Sequence, residues 1–233
     1  MKKIVFFAFT ILLLNACRQV QGSGNIVSEN RATGDFTGIS VGGAYEIELK
    51  NGSVTEVKVE ADDNIIGLIE TRVSNNRLNI TTKKGNSFTN GHFKIYITAP
   101  VINEIKSSGA ATVVIKNILK SNDKITLESS GASTITGEAD APDISTEASG
   151  AAEIKISGHT KNYNAEASGS ATIKTKDLMS ETTKVHASGA ATANVYSSVR
   201  LDADASGAAS ITYTGAGSTG LKTSGAANIK KDD

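Results

Sequence analysis

A single short motif, recurring at a near-constant interval, restricts what this chain can fold into more than any other feature. Ser-Gly-Ala or Ser-Gly-Ser occurs with its glycine at Gly109, Gly131, Gly150, Gly169, Gly189, Gly207 and Gly225, in steps of 22, 19, 19, 20, 18 and 18 residues. Four residues after each glycine stand Val113, Ile135, Ile154, Ile173, Ala193, Ile211 and Ile229, and two residues after it a small residue such as Ala111 or Ala152. The position between them is polar: Thr112, Thr134, Glu153, Thr172, Thr192, Ser210 and Asn228. Apolar and polar residues therefore alternate with period two, which is a strand burying one face. Each unit reads as two short strands joined at a Ser-Gly corner. One unit cannot bury its own apolar face, whereas stacked units can.

The expected fold is all-β: a parallel β-solenoid, right-handed and β-helix-like because parallel crossovers favour that hand. Its coils hold about 19 residues and sit about 4.8 Å apart. A β-propeller fits poorly, since a blade needs about 40 residues. The period-two pattern excludes a helical solenoid. Alanine-rich inner positions imply a narrow core, and glycine permits a tight corner or a close backbone approach.

The first half, residues 36–106, is β-rich but less regular. Tyr45–Leu49, Val57–Ala61, Leu78–Thr81 and Phe93–Ile97 alternate, residues 85–91 read as a polar loop, and Asp62-Asp63-Asn64 before Ile65–Ile69 reads as a capped short helix. The repeat solenoid is expected over 107–233. Whether the first half is a separate domain or continuous with the repeat is left open by the pattern.

Residues 1–16 read as an export signal. Lys2 and Lys3 precede an apolar run from Ile4 to Leu14, too short to span a bilayer, which takes about 20 residues. The run ends in Leu14-Asn15-Ala16-Cys17, which resembles the lipobox of a bacterial lipoprotein precursor, although Asn15 is a less usual residue there. That resemblance implies cleavage between Ala16 and Cys17 and acylation of Cys17, the only cysteine in the chain. Residues 17–35 are then a lipidated tether. Arg18 stands where an aspartate would resemble an inner-membrane retention signal, so outer-membrane placement is expected, with the side unresolved.

The chain has 24 basic and 24 acidic residues. Loss of the leader removes two lysines and no acid, leaving a small negative excess. That balance argues against nucleic acid as a partner and gives no electrostatic reason for binding anionic lipid. The expected partners are the membrane, through the N-terminal lipid, and an envelope or extracellular protein or glycan.

Gly22-Ser-Gly-Asn, Phe36-Thr-Gly-Ile-Ser-Val, Val59-Glu-Ala-Asp-Asp-Asn-Ile-Ile, Ile97-Thr-Ala-Pro100 and the Ser-Gly-Ala series together resemble the head GIN domain family of auto-transporter adhesins, common as envelope lipoproteins. The resemblance spans residues 23–229. It implies an all-β, solenoid-like fold and no known enzymatic activity, and supplies no functional residues to carry over.

Several motifs invite chemistry. Gly215-Ala-Gly-Ser-Thr-Gly220 matches the dinucleotide fingerprint, but another repeat unit follows where a helix is needed. Glu128, Glu147 and Glu166 share one repeat position with Lys106, His186, Asp204 and Lys222, so a solvated outer face is expected. The serines of the motif should form a hydrogen-bonded ladder at the corner. His92, His159 and His186 have no repeat-aligned histidine partner, and neither a cofactor nor a metal site is expected. The candidate binding surface is the outward column Thr112, Thr134, Thr172 and Thr192. A non-enzymatic interaction or adhesin module is therefore expected. The alternatives are a purely structural envelope protein and a carbohydrate-active β-helix enzyme, the latter needing longer cleft-forming loops than units this uniform provide.

Overall fold

The computed structural model describes residues 18–232; the leader and Cys17 lie outside the described residues. The first part of the chain contributes β1 (Arg18–Gln21), β2 (Ile26–Asn30), β3 (Gly38–Gly43), β4 (Glu46–Asn51), β5 (Glu56–Asp62), β6 (Ile69–Ser74), β7 (Arg77–Thr82), β8 (Asn86–Thr89) and β9 (Phe93–Ala99). The repeats contribute β10 (Glu104–Gly109), β11 (Thr112–Ile115), β12 (Leu119–Lys120), β13 (Ile125–Ser129), β14 (Thr134–Ala148), β15 (Glu153–Ala167), β16 (Thr172–Thr175), β17 (Leu178–Ala187), β18 (Thr192–Ser197), β19 (Arg200–Ala205), β20 (Ser210–Gly215), β21 (Ser218–Thr223) and β22 (Asn228–Lys231). The molecule is a parallel β-solenoid with an antiparallel cap, and like positions of successive repeats pair in register.

The buried columns follow from that register. Val113, Ile135, Ile154, Ile173, Ala193 and Ile211 stack coil on coil, each fully inaccessible. A second column runs Ser107, Ser129, Ala148, Ala167, Ala187, Ala205. Its small side chains let the two faces converge at the Ser-Gly-Ala corner. In the central coils the two faces are joined by a short third side, where Ala139, Gly158 and Leu178 align. Tyr163 hydroxyl and Thr146 Oγ1 enter the core as partners, 2.7 Å apart and both buried, whereas Ser107 Oγ is buried without a hydrogen-bond partner. Burial pushes the Tyr163 phenol up to about 12.

The corner is held by main chain. The amide of Ala132 donates to Gly109 O, that of Ala151 to Gly131 O and that of Ser170 to Gly150 O, each at 2.7 Å. A Cβ on Gly150, whose φ is +74°, would lie 2.9 Å from Gly131 O. Only glycine allows both that backbone and that approach. The serine hydroxyls do not form the ladder expected of them. Ser108 Oγ donates to Val41 O at 3.1 Å and Ser130 Oγ to Ser107 O at 3.5 Å, so these side chains reach main-chain carbonyls of the coil before.

The repeat begins one coil earlier than its motif. β10 and β11 pair in parallel with β3 and β4, aligning Gly109 with Gly43 and Val113 with Ile47. The first half is thus continuous with the solenoid. After β4 the chain leaves the stack and returns as β7 and β9, which pair in parallel with β3 and β4 from beneath. Antiparallel strands close that end: β6 on β7, β5 on β9 and β2 on β5. Pairing covers the edges of the lowest coil.

Two local expectations differ in the structure. The capped helix after Asp62 is a single 3-10 turn, Ile66–Leu68, with no side-chain cap, because the carboxylates of Asp62 and Asp63 are engaged elsewhere. The segment read as a tether carries β1 and β2 and is docked on the cap, β1 pairing in parallel with β8 inside the supposed polar loop.

At the opposite end β21 and β22 pair only with β19 and β20 among the described residues. Three inward columns turn polar there: Thr219 follows Leu201, Thr223 follows Ala205, and Lys231 follows Tyr213. A lysine on such an edge strand, exposed here, resists further strand pairing.

Candidate functional site

The outward columns are the surfaces available for binding. Thr112 aligns with Thr134, Thr134 with Glu153, Glu153 with Thr172, and Thr172 with Thr192. The four candidate threonines therefore share one column, half-buried between neighbours, with Glu153 interrupting it. Lys174 Nζ reaches Glu153 at 2.9 Å. The column continues below through Glu46 and Lys94. Lys94 is gripped by Glu46 at 3.0 Å and Glu48 at 2.9 Å. The same contacts hold Lys94 above and Glu48 below their ordinary pKa values.

The glutamate column is brought together as well. Glu128, Glu147, Glu166, His186, Asp204 and Lys222 stand in successive coils of one face. At its lower end an ion chain spans several coils. Arg77 pairs with Glu104, whose other oxygen lies 3.2 Å from Lys106 Nζ, and Lys106 lies 2.8 Å from Glu128. Gly38 stands in register between Arg77 and Glu104. Its missing side chain leaves the gap across which that pair closes; a Cβ there would lie 3.2 Å from Glu104 Oε2. Burial raises the Glu104 pKa, but Arg77 and Lys106 outweigh it and hold the carboxyl below its usual value.

Two open grooves flank these columns. One, of about 540 Å³, is bordered by Ile115, Lys116, Glu138, Lys155 and Lys174. The other, of about 530 Å³, is bordered by Glu166, Lys184, His186, Arg200, Asp204 and Lys222. Charges of both signs interleave in each. Among the described residues no serine hydroxyl is hydrogen-bonded to a histidine, and no three His, Cys, Asp or Glu side chains gather as metal ligands. His92 pairs with Glu60 at 2.9 Å, while His159 and His186 sit on separate outward columns. The Gly215–Gly220 motif joins β20 to β21, strand to strand, so no helix N-terminus exists to hold a pyrophosphate.

Sequence reading missed the joint between residues 22–25 and 62–64. Asp62 is buried, accepting from the amides of Gly24 at 2.6 Å and His92 at 2.7 Å. Those two donors, His92 first, hold its carboxyl below its ordinary value. Asp63 accepts from Ser23 Oγ at 2.6 Å and Asn25 Nδ2 at 2.8 Å, and Asn64 Nδ2 donates to Gln21 O at 2.9 Å. Gly-Ser-Gly-Asn and Asp-Asp-Asn, noted only as separate motifs, are two halves of one lock.

A parallel solenoid with one antiparallel cap, two open grooves and regular outward columns is the architecture of a surface-presenting β module. Residues 35–217 match the family described as "Putative auto-transporter adhesin, head GIN domain", and the chain belongs to that family. No curated relative matches it. Among solved structures it is similar to a "putative adhesin" from Bacteroides fragilis, at TM-score 0.86 and 24% identity, covering 91% of this chain and 100% of that one. It is also similar to a "putative lipid binding protein" from Parabacteroides distasonis, at TM-score 0.73 and 20% identity, over 93% and 100% of the two chains. A "putative adhesin" from Parabacteroides merdae gives 0.73 and 13%, with 93% and 100% covered. At these identities the likeness is one of fold.

Proposed function

We propose that the mature chain is a lipoprotein of the cell envelope, anchored in the outer membrane through Cys17. It binds an envelope or extracellular protein or glycan through its outward solenoid columns, without catalysis. The observation that carries this reading is the shape of the exposed surface. Side chains repeat in register from coil to coil over a continuous sheet, and the concavities are open and lined by charges of both signs. A small substrate is normally enclosed by a deep, largely apolar pocket, whereas solenoids bind through extended surfaces. Membership of a family described as adhesins supports the same reading. Weak contacts on such a face gain strength when many copies share a membrane.

The test has two parts. Fatty-acid labelling of the protein is expected to vanish in Cys17→Ser; persistent label removes the anchor. Protease shaving of intact cells followed by pull-down identifies the partner. Thr134→Lys with Thr172→Lys is then expected to weaken its binding at unchanged thermal stability. Full retention of binding would move the site off the threonine column, and turnover of a glycan by the purified protein would overturn the non-enzymatic reading.

A further inference from the structure

The overall charge balance conceals a local cluster beside the proposed anchor. Arg18, the first described residue, is already a strand residue: its amide donates to Gly85 O at 2.7 Å and it pairs with Asn86. Lys83 and Lys84 immediately precede that contact. The turn carrying them is fixed by Asn86 Nδ2, which donates to Lys83 O at 3.0 Å and Lys84 O at 3.3 Å. All three cations are exposed. Among the described residues none of them has an ion-pair partner. The acidic side chain nearest in register is Glu70, across from Thr81 on the neighbouring strand pair. Asp63, at the far end of β1, is occupied by Ser23 and Asn25.

The ribbon is a platform rather than a loose arm. Val20 and Phe88 pack against the core, and Phe88 stacks on Phe93 with ring centroids 5.1 Å apart. The lock at residues 22–25 and 62–64 ties down its other end.

We propose that the β1–β8 ribbon is a second membrane contact, in which Arg18, Lys83 and Lys84 bind the phosphates of anionic glycerophospholipids in the leaflet that holds the acyl chains of Cys17. The proposal rests on the anchor reading. One peptide unit, about 3.8 Å between Cα atoms, separates Cys17 from Arg18. The ribbon is therefore held within a Debye length of the headgroups, about 8 Å at physiological salt, so its charges are only partly screened. Acyl chains and a basic patch are complementary membrane signals. Seated this way, the capped end of the solenoid faces the bilayer and the β21–β22 end points away from it.

The experiment uses the lipidated protein reconstituted in vesicles of phosphatidylcholine alone, or with phosphatidylglycerol added. The readout is the reactivity of each lysine toward an amine-acetylating reagent, by peptide mass. Lys83 and Lys84 are expected to react at least tenfold more slowly in the anionic vesicles, with Lys230 and Lys231 unchanged and high salt restoring the rate. Arg18→Ser is expected to weaken the protection about fivefold, the worth of one surface cation. Equal reactivity of Lys83 and Lys84 in the two vesicles overturns the proposal, as does protection of Lys230 and Lys231 to the same degree. The N-terminal peptide in the same digest reads the anchor separately. A Cys17 without lipid overturns the anchor and the ribbon's role with it, whereas a lipidated Cys17 without lysine protection overturns the ribbon alone.

Discussion

Replacing Gly150 by alanine isolates what the corner requires. Gly150 has φ +74°, and a Cβ built on it would sit 2.9 Å from Gly131 O, 3.3 Å from Gly131 N and 3.4 Å from Gly131 Cα. All three atoms are main chain, so no flexible side chain can swing aside. Two contributions add. An L-residue in the left-handed region costs about 1–2 kcal/mol, and forcing the coils apart resembles overpacking a core, about 1–3 kcal/mol. The expected loss for Gly150→Ala is therefore about 2–5 kcal/mol. Gly24→Ala is the control: φ is +84°, nothing lies within 4 Å of the added carbon, and the amide still reaches Asp62. It carries the backbone contribution alone, about 1–2 kcal/mol. Urea unfolding followed by circular dichroism measures both. Equal losses in the two variants would refute the claim that glycine serves coil-to-coil contact at the corner.

Ile154 is inaccessible and Lys155 exposed; Ile154→Asp is expected to unfold the protein in a thermal melt, and Lys155→Asp to shift stability by a few tenths of a kcal/mol. Tyr163→Phe strands Thr146 Oγ1 in the core, an expected loss of about 1–3 kcal/mol in denaturant titration. The lowered pKa of Asp62 makes its contribution complete above its unfolded value, near 3.8, and lost as the pH falls through the lower folded value. Asp62→Asn is thus expected to be less stable than the parent at pH 7, with the gap closing below about pH 4; a constant gap across acid titration would refute the assignment.

The solenoid was legible because its grammar is local: a period of two within strands and about 19 between corners puts the same residue classes in register. The coil at Gly43 was not. Residues between β4 and β10 separate Gly43 from Gly109, and Tyr45 stands where later units have alanine or serine, so the spacing does not mark it, although Gly43-Ala44 and Ile47 keep part of the unit. Asp62-Asp63-Asn64 read as a helix cap because that pattern is local, yet its carboxylates satisfy amides and hydroxyls about 30–40 residues away. The same distance hid the docking of β1 and β2. Among candidate site residues, register alone placed Thr112, Thr134, Thr172 and Thr192 in one column. The meeting of Arg18 with Lys83 and Lys84 depends on a strand pairing 68 residues apart, and no sequence window contains it.

The corner stacking described above also bears on how the protein folds and how its length can change. Each coil pairs with the one before and the one after, so a unit needs only a neighbour of matching register, and growth from the cap resembles a zipper closing one tooth at a time. The cap carries the larger closure cost, because β4 and β9 meet across a wide loop. Beyond it, a whole unit of the repeat is an exchangeable part: excising residues 151–169, which returns Gly150's successor to the same phase, would shorten the molecule by one tooth and leave the remaining corners in line. The length of the solenoid is in this sense a quantity the gene can count out in units of about 19 codons.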